Sequence, residues 1–182
     1  MKKRILVLGT ALLVAGVLLV GVTHAFLASK SRQIVNTFVS GDITLTLTET
    51  TGSKYLLVPG TDIDKDPSIT VGKGSEACWL FFKAEEQGLM DGIIDYSYED
   101  GWTALGGEEG VYWRRVPYCT EDRVYRIIKG DRITVSADAT EEKLASLGGS
   151  SKLIFLAYAV QCEGIATPER AWEMIKSGGD EA

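Results

Sequence analysis

The sequence predicts an all-β fold, an antiparallel β-sandwich with one or two short helices. Apolar and polar residues alternate with a period of two in many short segments, which is typical of half-buried strands. Turn-forming residues separate these segments at intervals of about 8–12 residues, as they do in sandwiches. With 182 residues, 45% of them apolar, the chain is long enough for one globular domain and an additional segment.

Strand signals begin at residues 42–49, where apolar and polar residues alternate and β-branched side chains predominate. Residues 54–58 predict a second strand, which a Pro-Gly pair ends, and residues 68–71 predict a third. The run at 77–84 is almost continuously apolar. Such a run is expected of a strand whose two faces are both buried in a sandwich core.

The second half of the chain continues this pattern. Strands are predicted at residues 93–98, 102–105, 111–116, 123–128, 132–136 and 152–161. The second and third of these segments flank a glycine-rich turn, so they predict a β-hairpin. The fourth and fifth flank another turn, at residues 129–131.

Two short helices are predicted near the C-terminus. The first starts with an acidic variant of the capping box, made by Asp138 and Glu141, and stops at a glycine pair. The second starts at Thr167 and Pro168, an N-cap residue followed by proline at the first helical position. Its apolar side chains fall on one face: Ala171, Trp172 and Ile175.

Residues 1–25 have the pattern of a secretory signal peptide. Basic residues at positions 2–4 precede an apolar run at 5–22, and small residues occupy the −3 and −1 positions before Phe26. We therefore predict cleavage between Ala25 and Phe26, and secretion of the remaining chain. The alternative is an uncleaved membrane anchor, because about 18 apolar residues can span a bilayer.

Charge and histidine content exclude several function classes. The chain has a net charge of −6, which becomes −9 when a leader with three basic residues is removed, so a nucleic-acid partner is not predicted. The single histidine, His24, lies in the leader. The exported chain therefore lacks a Ser-His-Asp triad, a Cys-His pair and a histidine-ligated metal, and we predict neither an enzyme nor a cofactor. Membrane contact is predicted only through the leader, before cleavage.

The most site-like polar cluster consists of three alternate aspartates, Asp62, Asp64 and Asp66. Carboxylate oxygens bind Ca²⁺, so this segment is a candidate calcium site. An EF-hand loop requires glycine at its sixth position and glutamate at its twelfth, where this chain has Pro67 and Lys73. The favoured interpretation is therefore a solvent-exposed turn between two strands, without a metal ion.

Three cysteines lie in the exported part of the chain: Cys78, Cys119 and Cys162. In an oxidising compartment an odd number predicts one disulfide and one thiol that stays free or pairs with another molecule. The sequence does not select the pair. The alternative is three buried, unreactive thiols, because Cys78 and Cys162 lie in apolar, strand-like runs.

Aromatic residues are concentrated in the middle third of the chain. They are Tyr96, Tyr98, Trp102, Tyr112, Trp113, Tyr118 and Tyr125. Exposed on a sheet, such residues bind sugars or a partner chain, whereas turned inward they fill the core. Strand alternation is expected to turn about half of them inward.

The segment at residues 26–40 is a candidate N-terminal arm in front of a sandwich domain at residues 41–182. Its apolar positions are Phe26, Leu27, Ile34, Val35, Phe38 and Val39. Once freed by cleavage, such an arm either lies on its own sheet as a first strand or completes the sheet of a neighbouring copy. Composition does not separate these alternatives.

Several of these segments resemble the TasA/camelysin family, whose members are exported by Gram-positive bacteria and processed by a SipW-type signal peptidase. The most specific match is in the leader and first strand, Thr23-His24-Ala25-Phe26 and then residues 36–43. The resemblance continues through residues 55–60, 64–71, 78–86, 101–102, 110–114, 155–161 and 171–172. It covers most of the chain.

The resemblance implies a jelly-roll sandwich, secretion to the extracellular matrix or cell surface, and assembly with itself into biofilm-matrix fibres. In the fibre-forming members the N-terminal arm of one subunit inserts into the next, which corresponds here to residues 26–39. Camelysins are described as metallopeptidases, but the missing histidine departs from any ordinary zinc-peptidase pattern. A fibre subunit is therefore the leading hypothesis, followed by a monomeric surface-binding module that uses the central aromatic residues, and then by a camelysin-like peptidase.

Overall fold

The computed structural model describes residues 26–28, 35–37, 43–51, 54–88, 92–147 and 151–179. The predicted leader at 1–25 and the cleavage-site residue Ala25 lie outside this part of the chain. Within it the protein is built almost entirely from antiparallel strands, with two α-helices, which confirms the all-β sandwich prediction. The jelly-roll form stays a prediction.

Thirteen strands and two helices are formed by the described residues. The strands are β1 (Phe26–Ala28), β2 (Val35–Thr37), β3 (Leu45–Thr48), β4 (Lys54–Leu56), β5 (Asp62–Asp64), β6 (Ser68–Val71), β7 (Cys78–Gln87), β8 (Ile94–Asp95), β9 (Thr103–Ala104), β10 (Val111–Val116), β11 (Arg123–Arg126), β12 (Arg132–Val135) and β13 (Lys152–Gln161). The helices are α1 (Glu141–Ser146) and α2 (Pro168–Gly179).

One layer of the sandwich is a five-stranded sheet with the order β2-β13-β7-β10-β9. Its two long central strands, β7 and β13, pair antiparallel from Gln87 opposite Lys152 to Cys78 opposite Gln161. The β9–β10 hairpin predicted from the glycine-rich turn extends this sheet on one side. On the other side β2 pairs with β13 in the parallel direction.

Two three-stranded sheets face this layer, with the orders β11-β6-β3 and β5-β12-β8. The main core lies between the layers and includes Leu80 and Phe82 from β7, Ile69 from β6 and Ile133 from β12, each fully buried. Because side chains alternate along a strand, Trp79 and Phe81 of β7 point to the opposite face. There they form a second core with α2, through Ala171, Trp172 and Ile175 as the helix pattern predicts.

Many predicted elements are confirmed. The strands at 68–71, 111–116 and 152–161 have the predicted bounds, and β7 is buried on both faces over its first five residues, as its apolar run predicts. Helix α2 begins at Pro168, with the Thr167 hydroxyl accepting a hydrogen bond from the Arg170 amide.

Other predictions are corrected. The expected solvent-exposed turn at the three aspartates contains β5, which pairs with β12. The strands predicted at 123–128 and 132–136 are formed as the shorter β11 and β12, and they lie in different sheets: β11 pairs with β6, whereas β12 pairs with β5 and β8. Helix α1 is capped by Thr140, whose hydroxyl accepts a hydrogen bond from the Lys143 amide. Asp138 is not the cap, since its amide donates to the Ser136 hydroxyl in the preceding turn.

Candidate functional site

The predicted N-terminal arm contributes two strands, each at the edge of a sheet. Strand β1 pairs antiparallel with β4, with Leu27 opposite Tyr55. Strand β2 pairs parallel with β13, with Val35 opposite Ala157. The arm therefore adds main-chain hydrogen bonds at two edges of the sandwich. Three further residues predicted for the arm, Ile34, Phe38 and Val39, lie outside the described part of the chain.

The two strands that pair with the arm, β13 and β4, differ in whether they have another strand partner. Strand β13 is paired on its other side with β7 along its whole length. Strand β4 has β1 as its only strand partner among the described residues. In β4 and the two residues after it, Tyr55 and Leu57 face inward, whereas Leu56 and Val58 are 44% and 42% exposed. The strand β4 therefore depends on β1 for its main-chain pairing and on Tyr55 and Leu57 for its packing.

A buried polar cluster lies beneath β4. The ammonium group of Lys65, which is fully buried, donates to Glu49 Oε1 at 2.7 Å, and the hydroxyl of Tyr55 donates to the same oxygen at 2.7 Å. The Lys65 nitrogen also lies 5.4 Å from the centroid of the Tyr55 ring and 5.8 Å from that of Phe155 in β13. We call Glu49, Tyr55 and Lys65 the polar triad. Its residues come from the segment after β3, from β4 and from the segment after β5, and Lys65 also contacts Phe155 of β13.

Burial shifts the pKa values of two residues of the polar triad, Lys65 and Tyr55. Burial lowers the pKa of Lys65, and the neighbouring Glu49 carboxylate opposes this shift by favouring the charged ammonium. Burial also raises the pKa of Tyr55, so its hydroxyl keeps its proton and stays a hydrogen-bond donor. The triad thus has the geometry of an ion pair with one additional neutral donor.

The loop that carries Glu49 is held by Asp66. The Asp66 carboxylate accepts hydrogen bonds from the amides of Thr50 and Thr51, at 2.8 and 3.0 Å, and from both threonine hydroxyls. Partial burial alone would raise the pKa of Asp66, but the hydrogen bonds outweigh it and lower the pKa to about 2. Asp66 thus fixes the position of the chain just before β4.

The structure does not bring the three candidate calcium ligands together. Asp62 accepts a hydrogen bond from the Thr134 hydroxyl at 2.8 Å and pairs with Arg132, which also lies 3.8 Å from Asp64. Asp66 is engaged by the threonines on a different loop. In the described ranges, no group of three or more histidine, cysteine, aspartate or glutamate residues is arranged to hold a metal ion.

The three cysteines lie near one end of β7 but on two faces of the sheet. Cys78 and Cys119 are fully buried in the main core, whereas Cys162 packs against the second core. Burial raises the pKa of each thiol, that of Cys78 to about 12. All three are thiols in the structure, of which Cys162 is only partly buried, and a disulfide among them stays a prediction.

Most of the central aromatic residues are part of a core. The ring of Phe82 is surrounded by those of Tyr98, Trp102 and Tyr112, with centroids at 5.0, 4.8 and 5.0 Å. Tyr118 is 51% exposed. The others pack against the main core or, for Trp113, the second core: Tyr96, Tyr98, Trp102, Tyr112, Trp113 and Tyr125. Clearly more than the expected half of these rings therefore face inward.

Arg114 closes one side of the sandwich among these rings. Its guanidinium carbon lies 4.9 Å from the ring centroid of Trp102 and 4.5 Å from that of Tyr125. Burial lowers the pKa of this guanidinium. Since Arg114 belongs to β10 and Tyr125 to β11, the cation–π contact between them joins the two layers.

Sequence reasoning missed the polar triad. A usable signal was present in residues 62–67, where Ile63, Lys65 and Pro67 are buried and the intervening aspartates are more exposed. Buried and more exposed residues thus alternate with a period of two, as in a strand. The three acidic residues nevertheless made the segment resemble a turn. A lysine is rarely buried completely unless it is paired, so its inward position was not expected.

Comparison with protein-family models, curated proteins and solved structures gives no match to this chain. Among the described residues, no helix is both long enough and apolar enough to cross a membrane.

Proposed function

We propose that this protein is a secreted structural subunit of extracellular or biofilm-matrix fibres, which polymerises when the N-terminal arm of one copy completes the sandwich of the next. The observation that carries this proposal is the position of β1 and β2 at sheet edges. An edge strand is bound mainly through main-chain groups, and every copy of the chain presents the same groups. The arm of a second copy can therefore make the same pairs with β4 and β13.

The arm and the rest of the chain have charges of opposite sign. The arm carries Lys30 and Arg32 and no acidic residue, whereas the chain as a whole has a net charge of −6. A basic strand is attracted to the acidic body of a neighbouring copy as well as to its own. This attraction brings an arm and a body together, but it acts both within one copy and between two copies.

The resemblance of the leader and first strand to the TasA/camelysin family supports the rest of the proposal. It includes export through the leader, cleavage after Ala25 by a SipW-type signal peptidase, and retention in the extracellular matrix or at the cell surface. The proposed role is structural and not catalytic, because the exported chain contains no histidine for the chemistry of an ordinary metallopeptidase.

The proposal is tested by negative-stain electron microscopy of three forms of the protein, each with and without a reductant. They are the chain beginning at Phe26, the same chain with Phe38→Asp, and the chain beginning at Gly41. We expect fibres from the first form only, because the other two have a damaged arm or none. A matched control is Val124→Asp, which introduces the same charge at a side chain that is 62% exposed on β11, and we expect it to form fibres.

Unaltered fibres from the chain beginning at Gly41 would contradict strand donation. Compact single particles from every form would favour the monomeric surface-binding module instead. Fibres that dissolve in reductant would assign one of the cysteines to a bond between copies.

A further inference from the structure

The polar triad lies at the junction between the two edges that receive the arm. Tyr55 is the residue of β4 that stands opposite Leu27 of β1. Phe155, which Lys65 contacts, belongs to β13, two residues before the position that pairs with Val35 of β2. The triad is therefore in contact with both strands to which the arm adds.

The hydroxyl of Tyr55 is a direct polar link between β4 and the rest of the sandwich at this point. Its acceptor, Glu49 Oε1, is fixed from the other side by Lys65 at 2.7 Å. The Glu49 side chain is 6% exposed and that of Lys65 is not exposed, so both charged groups are held away from water. A hydrogen bond to a charged, poorly hydrated acceptor is stronger and more directional than one between neutral groups.

We propose that the Glu49 carboxylate, shared by Lys65 and Tyr55, is a latch that sets the position of β4 and so determines how tightly an N-terminal strand is held there. In this arrangement Tyr55 is a positioning residue for the arm. The part of the proposal that concerns an arm from a second copy rests on the proposed function, whereas the part that concerns β1 of the same chain does not.

The latch explains why a buried charge pair is present at this place. An apolar residue at position 65 would pack against Tyr55 and Phe155 without fixing the height or tilt of β4, because apolar contacts have no direction. Buried polar groups are known to specify register where two elements have to meet in one way. Since β4 has β1 as its only strand partner among the described residues, it needs such a device more than a central strand does.

The first test is hydrogen–deuterium exchange with mass spectrometry on the chain beginning at Phe26, with and without Tyr55→Phe. This substitution keeps the ring and removes the hydroxyl. We expect the amides of residues 26–28 and 54–57 to exchange about 10- to 100-fold faster, because the substitution removes the hydrogen bond to Glu49 together with the 3.2 Å contact to the Thr51 hydroxyl. The amides of β7 and β13 are expected to exchange at the unchanged rate.

The matched control is Tyr96→Phe. The Tyr96 hydroxyl donates to Glu86 at 2.6 Å, so this variant also removes one tyrosine–glutamate hydrogen bond, but at the C-terminal end of β7. We expect it to leave the exchange of residues 26–28 and 54–57 unchanged. A second variant, Glu49→Gln combined with Lys65→Met, keeps an acceptor for Tyr55 and leaves no buried charge, and we expect a smaller acceleration in the same two segments.

Unchanged exchange at 26–28 and 54–57 in Tyr55→Phe, or equal acceleration throughout the sandwich, would overturn the latch. The outcome is independent of whether fibres form. Localised acceleration in a protein that never forms fibres would establish the latch for the chain's own arm and reject strand donation. Fibres from a protein whose exchange is insensitive to Tyr55→Phe would support strand donation and reject the latch.

Discussion

Lys65 illustrates how a single residue is made compatible with the interior of this protein. A buried ammonium group loses its hydration, and the contact with Glu49 at 2.7 Å restores only part of that energy. The rings of Tyr55 and Phe155 add cation–π attraction. Replacing only one residue of the ion pair is therefore expected to lower the free energy of unfolding more than replacing both residues together.

Lys65→Met is expected to lower the free energy of unfolding by about 3–5 kcal/mol, because it leaves the Glu49 carboxylate buried without its cation. Addition of Glu49→Gln should restore most of this loss, since no charge then remains buried. The measurement is urea denaturation followed by tryptophan fluorescence. As a control, Lys129→Met removes an exposed pair with Asp100 and should cost less than about 1 kcal/mol. Equal losses in Lys65→Met and Lys129→Met would contradict this account.

Asp66 gives the protein a dependence on acid pH. Its pKa of about 2 lies below the ordinary value of 3.8, so the folded state favours the ionised carboxylate. The resulting stabilisation is complete above about pH 4 and is lost as the pH falls towards 2. When the pH is lowered from 5 to 2.5, we expect the urea midpoint of the unmodified protein to decrease. The decrease should be smaller in Asp66→Asn. A parallel fall in the two proteins would show that other carboxylates are responsible.

The thiols are expected to differ in reactivity. At pH 7.5 a small alkylating reagent should modify Cys162, which is partly exposed, well before Cys78 and Cys119, which are fully buried. Burial raises the pKa of each thiol, so all three should react more slowly than an unfolded peptide. Mass spectrometry of digested samples at successive times measures the order. Early modification of Cys78 would show that the main core opens readily.

At the scale of elements, the sequence predicts the fold where one pattern dominates. Strand β13 contains a continuous apolar run from Leu153 to Val160 and was predicted with the correct bounds. Strand β5 was missed for two reasons. Two of its three residues are acidic, and its pairing partner, β12, is far away in the sequence: the nearest pair, Asp64 and Arg132, is separated by 68 positions. Local propensity does not contain that pairing.

The candidate site was predictable only in part. The apolar pattern of the arm indicates an added strand, and the structure pairs two of its segments at sheet edges. The polar triad was not predictable, because Glu49, Tyr55 and Lys65 come from three separate segments. Their contact depends on how the loop held by Asp66 and the segment after β5 meet beneath β4.

Helix α2 is expected to be an integral part of the sandwich. Its Trp172 side chain is 5% exposed, and its ring lies 5.3 Å from the ring centroids of both Phe81 and Tyr158. Trp172→Ala should therefore lower the free energy of unfolding by about 3–5 kcal/mol. The neighbouring Glu173→Ala, which removes an exposed contact with Arg170, should cost less than about 0.5 kcal/mol. Comparable losses in thermal unfolding would mean that the helix is only loosely attached.

At the scale of the whole molecule, charge opposes association of copies. Without the predicted leader the chain has a net charge of −9, so two approaching copies of that form repel each other at low ionic strength. The Debye length falls from about 30 Å at 0.01 M salt to about 8 Å at 0.15 M, which screens this repulsion.

Under the proposed function, fibre growth should therefore become faster as sodium chloride rises from 0.01 to 0.15 M. Light scattering of the chain beginning at Phe26 measures the rate. Val124→Lys is a control, because it lowers the net negative charge by one and should reduce the salt dependence slightly. Slower growth at higher salt would mean that attraction between the basic arm and the acidic body governs the rate.

The parallel pairing of β2 with β13 gives each copy an inherent direction. A strand accepted beside β13 can enter with only one orientation, so a row of copies joined in this way would have a head and a tail. One terminus would display β4 and β13 without an added strand, and the other an unused arm. A truncated copy without its arm would then act as a cap at a single terminus, and the cell could set fibre length by the ratio of truncated to whole subunits.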